Sequence, residues 1–446
     1  MKVFSVLAVL LLFFSSLSIA GDRAVSLEEA IRLSLARNNL LKAAEQREMA
    51  ARHSVAASRS RFLPRIFLDE NYSASNAPTR VFMMKLDQGR FAGNDFQIDT
   101  LNHPSSTSDF RTSFSLEQPI FDLSIVFGSD LVVKEAEEQS LALQRRREEV
   151  AFAVFSSYLE VQKARTMLVS AEKAVKDAEE HRRLARVRTE SGLGLKSDEL
   201  RAGTFLAEME QQYITAKNNV VLAGMRLALV AGEPDGQSLE INEYLTGMPL
   251  GQEKKDFVAV ALANRKDLKE LELAAEKAQI GVSLAGSAFL PTLYGNAAYQ
   301  MNDRDLPFGR DNDSWVAGVT LRWELFDGLR RFDERARARS LESSAREYLA
   351  YQQREVSFQV RESLLRLDEA EQRLLVARSS LADAEESVRL VTKRFSNSLA
   401  TLVDVLDTQS AVNRARVSVV DNDAGYALAT ARVWYSAGIF LQEVMK

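Results

Sequence analysis

Phe62, Leu63 and Pro64 recur as Phe289, Leu290 and Pro291, 227 residues later, and Leu35 with Ala36 recurs as Leu262 with Ala263 at the same offset. Phe121 and Asp122 match Phe326 and Asp327 at an offset of 205. Glu149 and Phe152 then match Glu355 and Phe358 at 206, as Asp198, Leu200, Ala231 and Gly232 match Asp404, Leu406, Ala437 and Gly438. One offset held from Glu149 to Gly232 is the mark of an internal duplication, and it constrains the architecture more than any local motif. The fall from 227 to 205 places an insertion in the first copy, between the proline and the Phe-Asp landmark. The copies are read as 21–252 and 253–446, after an N-terminal leader at 1–20.

Each copy has the same internal order. A helical pattern (Ser26–Arg61, Lys255–Ala288) ends at the Phe-Leu-Pro landmark, because proline cannot continue a helix. Ser26 and Glu29 fit a capping box at its start. The period then changes to two. Phe110, Phe114 and Leu116 alternate with polar residues, as do Trp315, Ala317, Val319, Leu321 and Trp323. These patterns predict strands at about 110–121 and 315–326, with partners at about 65–75 and 292–302. Each has one apolar and one polar face. Trp315 and Trp323 lie about 27 Å apart at the usual rise per residue, close to the height of a membrane band edged by aromatic residues. The hairpin tips differ: 76–109 is long and polar, 303–314 short.

Long helices follow. Between Arg330 and Phe395 there is neither glycine nor proline, a span of roughly 100 Å as one helix. Leu367, Leu374, Leu381, Val388 and Phe395 repeat every seven residues, the spacing of a coiled-coil seam. Two turns join the long helices into hairpins: a first tip at about 192–200 and a second at about 396–407. The second places Asp404 and Asp407 three residues apart at the start of a helix, hence on one face.

Composition narrows the function. A net charge of −5 with interspersed signs argues against a nucleic-acid partner. The absence of cysteine removes disulfides, thiolate metal sites and a lipoprotein anchor. Lys2, the apolar run Val3–Phe14 and the small residues Ser18 and Ala20 read as a signal peptide. No later stretch is long and apolar enough to cross a bilayer as a helix, so a membrane crossing has to be a β-barrel. The three histidines suggest neither a zinc site nor a catalytic triad, and Gly192–Ser197 lacks the Gly-Lys pair of a phosphate loop. No enzyme, cofactor or metal site is expected.

Two copies supply four strands, whereas the smallest bacterial barrels have eight. Four cannot close, so several chains must share one barrel.

The two helix–hairpin–long-helix repeats, a Leu-Pro at each helix-to-strand junction, the paired tips and the stretch Thr401–Asp407 together resemble the TolC-like outer-membrane efflux family. The resemblance covers nearly the whole mature chain. It implies a mainly α fold with a membrane β part: a homotrimer whose long α-barrel is continuous with a shared 12-stranded β-barrel. It also implies a Gram-negative outer-membrane site extending into the periplasm, contact with outer-membrane lipid, and a periplasmic adaptor and an inner-membrane transporter as partners. Gly232–Gln252 would join an equatorial belt. Asp404 and Asp407 would ring the periplasmic aperture. The tip-latch positions would be Ser197, Asp198, Phe395 and Ala400. Phe395 and Ala400 stand where the family pattern has tyrosine and arginine, so that latch does not carry over intact; Lys196, Lys393 or Arg394 are candidate substitutes. The adaptor would meet the tips at Gly192, Leu193, Gly194, Leu195, Leu200, Leu399, Thr401, Leu402 and Leu406. The expected function is a passive exit duct of a tripartite efflux pump. The alternatives are the outer-membrane component of a type I secretion system and a periplasmic adaptor or structural coiled-coil protein.

Overall fold

The computed structural model describes residues 23–234, 237–245 and 256–445. The expected signal peptide at 1–20 and the repeat boundary at 252/253 lie outside the described residues, as does most of the second half of the expected belt stretch. Strand β1 (Arg23–Val25) leads to helices α1 (Leu27–Arg37) and α2 (Asn39–Arg59). Strand β2 (Arg65–Ser75), helices α3 (Pro78–Asp87) and α4 (Ile98–Asn102) and strand β3 (Thr107–Phe121) follow. Helices α5 (Leu123–Glu190) and α6 (Lys196–Ala231) and strand β4 (Leu239–Ile241) complete the first copy. The second holds α7 (Phe257–Asn264), α8 (Lys266–Ser287), β5 (Thr292–Asp303), β6 (Asn312–Arg322), α9 (Arg330–Ser396), α10 (Leu402–Ser436) and α11 (Phe440–Val444). The long helices match across the copies: 68 and 67 residues for α5 and α9, 36 and 35 for α6 and α10.

The chain divides into two compact units. One comprises Ala43–Arg145 and Lys266–Glu355. Its strands form an antiparallel sheet in the order β2-β3-β5-β6. The register puts Ile66, Leu68 and Tyr72 on the same face as Leu116, Phe114 and Phe110, and this face continues through Ala297 and Tyr299 to Ala317 and Trp315. The other face carries Asn71, Asp109, Arg111, Asn302, Asn296 and Asn312. The apolar face is uncovered within the chain: Ile66 is 71%, Val319 65% and Trp315 78% exposed. The outer strands β2 and β6 each pair on one side only.

β6 runs from Asn312 to Arg322 instead of the expected 315–326. Its last residue pairs with Thr292, and the preceding Pro291 has no N–H with which to extend the ladder. Trp323 therefore falls outside the strand and donates its indole N–H to the Phe289 carbonyl at 3.2 Å. The long tip of the first hairpin is also not a plain loop. Pro78 opens α3, whose Val81 and Met84 are buried, and Phe91 stacks edge-on with both Phe82 and Phe96.

The other unit comprises the chain up to Lys42, Arg146–Arg265 and the chain from Val356. Here β1 and β4 pair in parallel over a core of Ile31, Phe155, Tyr158, Leu227 and Phe440. Each expected N-terminal helix is two helices, broken at Asn38 and at Arg265. The physical reason is shared. The break in each copy rests on the glycine that ends its last long helix. A Cβ on Gly232 would lie 2.8 Å from the Arg37 carbonyl carbon, and one on Gly438 3.1 Å from Arg265 Cα. Both glycines are left-handed, with φ of 79° and 69°, a helix-ending conformation open to glycine at little cost. Asn38 ties the first break by donating to the Val230 carbonyl.

Candidate functional site: the paired helical tips

The two tips lie in this second unit and pack on one apolar cluster. Ala202, Phe205, Leu206 and Met209 from α6 meet Ala174, Ala178 and Ala185 from α5, and Phe395, Leu402, Val405 and Leu406 from the second hairpin. Small α5 residues opposite large ones let the helices approach closely. Leu402 and Leu406, expected at an adaptor surface, are instead buried here, at 2% and 6% exposure, because their positions face the first hairpin. Leu193, Leu195, Leu200 and Leu399 are exposed.

In the first tip α5 ends at Glu190 and the chain reverses through Gly192, at φ 76°. Gly194 approaches closely: a Cβ there would lie 3.1 Å from the backbone of Arg188 and Thr189. α6 starts after Leu195 without a side-chain cap. In the second tip the reversal falls on Ser398, at φ 59°. There α10 starts with a full capping box: Thr401 N–H and Oγ1 both donate to Asp404 Oδ2, at 2.8 and 2.7 Å, and Asp404 N–H donates to Thr401 Oγ1 at 3.2 Å. The two Thr401 hydrogen bonds hold the Asp404 carboxyl below its ordinary pKa, with a smaller contribution from the Arg394 charge. Asp407 follows one turn later, also exposed.

Among the described residues Ser197 and Asp198 make no hydrogen bond to the second tip. Ala400 sits half-buried beside the apolar cluster, and Lys196 pairs with Glu199 on its own helix. Arg394 donates to the Leu399 carbonyl of its own turn, at 3.5 Å. The link between the tips is Arg188. Its guanidinium donates to the Phe395 carbonyl at 2.8 Å and to Ser398 Oγ at 3.0 Å, and stacks 4.6 Å from the Phe395 ring centre. The sequence carried one signal for it: 188 plus the repeat offset of 206 is 394, so Arg188 and Arg394 are equivalent positions.

Beyond the apolar cluster lies a polar layer that sequence reasoning also missed. Gln409, 4% exposed, donates to Asp177 and Asn413, and its carbonyl oxygen lies 3.5 Å from the ring Nε2 of buried His181. Arg416 bridges Asp177 on α5 and Glu385 on α9. The buried pair Gln409 and His181 penalises any sliding of one helix past another, since a shift leaves buried polar groups unpaired.

Among the described residues no helix is long and apolar enough to cross a membrane, and no group of acidic or histidine side chains could hold a metal ion.

Known proteins share this fold. A membrane protein from Pseudomonas aeruginosa superposes with a TM-score of 0.80 over 92% of this chain and 93% of its own, at 16% identity. The CmeC outer membrane channel of Campylobacter jejuni superposes with a TM-score of 0.79 over 93% of this chain and 86% of its own, at 17% identity. Nodulation protein T of Rhizobium leguminosarum bv. trifolii is 23% identical over 276 residues, a match spanning 60% of this chain and 58% of that protein. The family model for outer membrane efflux proteins matches residues 30–233 and 258–438, the two copies in turn. The chain belongs to the outer membrane efflux protein family.

Proposed function

We propose that this chain is the exit duct of a tripartite efflux pump, a passive conduit from periplasm to exterior opened at its tips by a periplasmic adaptor and an inner-membrane transporter. The observation that carries the reading is the two-faced sheet whose outer strands β2 and β6 each keep one edge unpaired. An exposed apolar face suits lipid, but an unpaired strand edge is costly there, since each unmet backbone group costs several kcal/mol. Pairing β6 of one chain with β2 of the next removes every edge, and three chains make the 12-stranded barrel. The polar face then lines water. Family members are channels, not enzymes, and the chain performs no covalent step.

At the tips, three copies would bring Asp404 and Asp407 together as six carboxylates. Such a ring favours cations and repels anions. Arg188 holds the second tip against the first in the resting state, in place of a Ser197, Asp198, Phe395 and Ala400 latch. The exposed leucines Leu193, Leu195, Leu200 and Leu399 are the adaptor's contact, and burying them against a partner supplies the driving force for docking.

Cell fractionation tests the assembly. The expected product is a trimer in the outer-membrane fraction that survives mild detergent and dissociates on heating. A monomer released with the soluble periplasm would overturn the reading.

A further inference from the structure

The folded tip of the first hairpin is fastened to one particular face of the sheet. Gln88, at the end of α3 and 1% exposed, donates from Nε2 to Asp109 Oδ1 at 2.9 Å and to the Ser108 carbonyl at 2.7 Å. Asp87 receives Arg111 at 3.4 Å, and its backbone carbonyl receives Asn312 Nδ2 at 3.1 Å. Gly89 packs so near β6 that a Cβ there would sit 3.4 Å from Asn312 Cβ. Asp109, Arg111 and Asn312 all lie on the polar face, one on the end of β6 and two on β3. Asn302 of β5 closes the cluster with two hydrogen bonds to Asp109, at 3.1 and 2.9 Å. Asp109 and Asn302 are each 1% exposed, whereas Asn296, farther along the same face, is open. A buried carboxylate is tolerated only when its hydrogen-bonding capacity is met, so the anchor specifies one seat.

We propose that residues 76–106 form a fixed tongue over the polar face that narrows the outer mouth of the duct and sets the largest polar molecule that passes there. The inference rests on the duct reading, in which the polar face lines the pore. The second hairpin has no counterpart, since only 304–311 separate β5 from β6. Each chain therefore brings one tongue, anchored across three strands by Gln88, Asp109, Asn302 and Asn312. The phenylalanine stack of Phe82, Phe91 and Phe96 and the Lys85–Asp95 ion pair stiffen the tongue itself, so it acts as a rigid obstacle and not as a swinging loop.

The absence of native cysteine makes this directly testable on intact cells. Asn296→Cys places a thiol on the polar face beyond the tongue. A small membrane-impermeant maleimide added outside should label it whether or not the anchor is intact. A bulky polyethylene-glycol maleimide should label it only when Gln88→Ala and Asp109→Asn release the tongue, by roughly tenfold in rate. Equal labelling by the bulky reagent with the anchor intact would overturn the constriction and leave the duct standing. No labelling by either reagent in either background would overturn the duct, and the constriction with it. A second variant reads the seat directly: Gly89→Cys with Asn312→Cys should form a disulfide on mild oxidation, as their close approach allows. Failure of that pair to cross-link in the assembled protein would remove the tongue from its seat.

Discussion

The two tips descend from one ancestral turn and have diverged in opposite directions. The first uses glycines at the reversal and the close approach, Gly192 and Gly194, where the second has Ser398 and Ala400. The first starts its return helix uncapped at Leu195, while the second builds the Thr401–Asp404 box at the same place. Where the second carries Asp404 and Asp407, the first carries Asp198 and Arg201, whose charges cancel. The equivalent arginines divide as well: Arg188 crosses to the other tip and Arg394 serves its own turn. The difference teaches a division of labour. The second tip is the capped, acidic one, which suits the aperture proposed for it, and the first is the uncapped one whose arginine reaches across.

The largest effect is expected from breaking that hold. Arg188→Ala removes two charged hydrogen bonds and a stacked cation, about 1–3 kcal/mol of contact between the tips. The resting conductance in planar bilayers should rise several-fold, while Arg394→Ala leaves it near the parent value. Equal effects of the two would erase the proposed asymmetry. Next comes Gly194→Ala, whose new Cβ pushes on the turn that carries Arg188. It should reproduce the Arg188→Ala change in part, and a silent substitution would show that the first tip has room the close approach denies. Thr401→Ala sharpens the comparison from the other side. Loss of the cap should cost about 1 kcal/mol and speed amide exchange across the first turn of α10. Leu195→Thr, which offers the first tip a cap it lacks, should slow exchange at the start of α6.

The smallest effect is that of pH. Asp404 has a lowered pKa in the folded chain, so its stabilisation is complete above the ordinary carboxylate pKa of about 4 and is lost only as pH falls through the lower folded value. Capping and ring charge at Asp404 should therefore hold from pH 7 to pH 5. A change of amide exchange at the start of α10 across that window would contradict the assignment of its hydrogen bonds.

How much of this was legible in the sequence depends on what fixed each feature. The duplication and the long hairpins were, because an insertion inside a coiled-coil helix would rotate every later seam residue, so the offset of 206 survived. The two-faced strands were, because an apolar face and a polar face on one strand leave a period of two in the sequence. The end of β6 was misplaced because its limit is set by Pro291 on another strand. The breaks at Asn38 and Arg265 were hidden because no proline or glycine marks them; the cause lies far away, at Gly232 and Gly438. The tongue read as loop because α3 is only ten residues long and its apolar residues Val81 to Met84 run on without a period. Arg188 was visible only through its symmetry with Arg394, and the burial of Leu402 and Leu406 only once α6 was placed beside them.

One measurement tests the central claim, that the second tip forms an acidic aperture at the narrowest point of a shared duct. Reversal potentials in a salt gradient should show a cation-selective pore, and Asp404→Asn with Asp407→Asn should bring the selectivity close to neutral. Asp198→Asn with Arg201→Gln, the matching change in the first tip, should leave it cation-selective. Unchanged selectivity in the first pair, or an equal loss in both, would contradict the account.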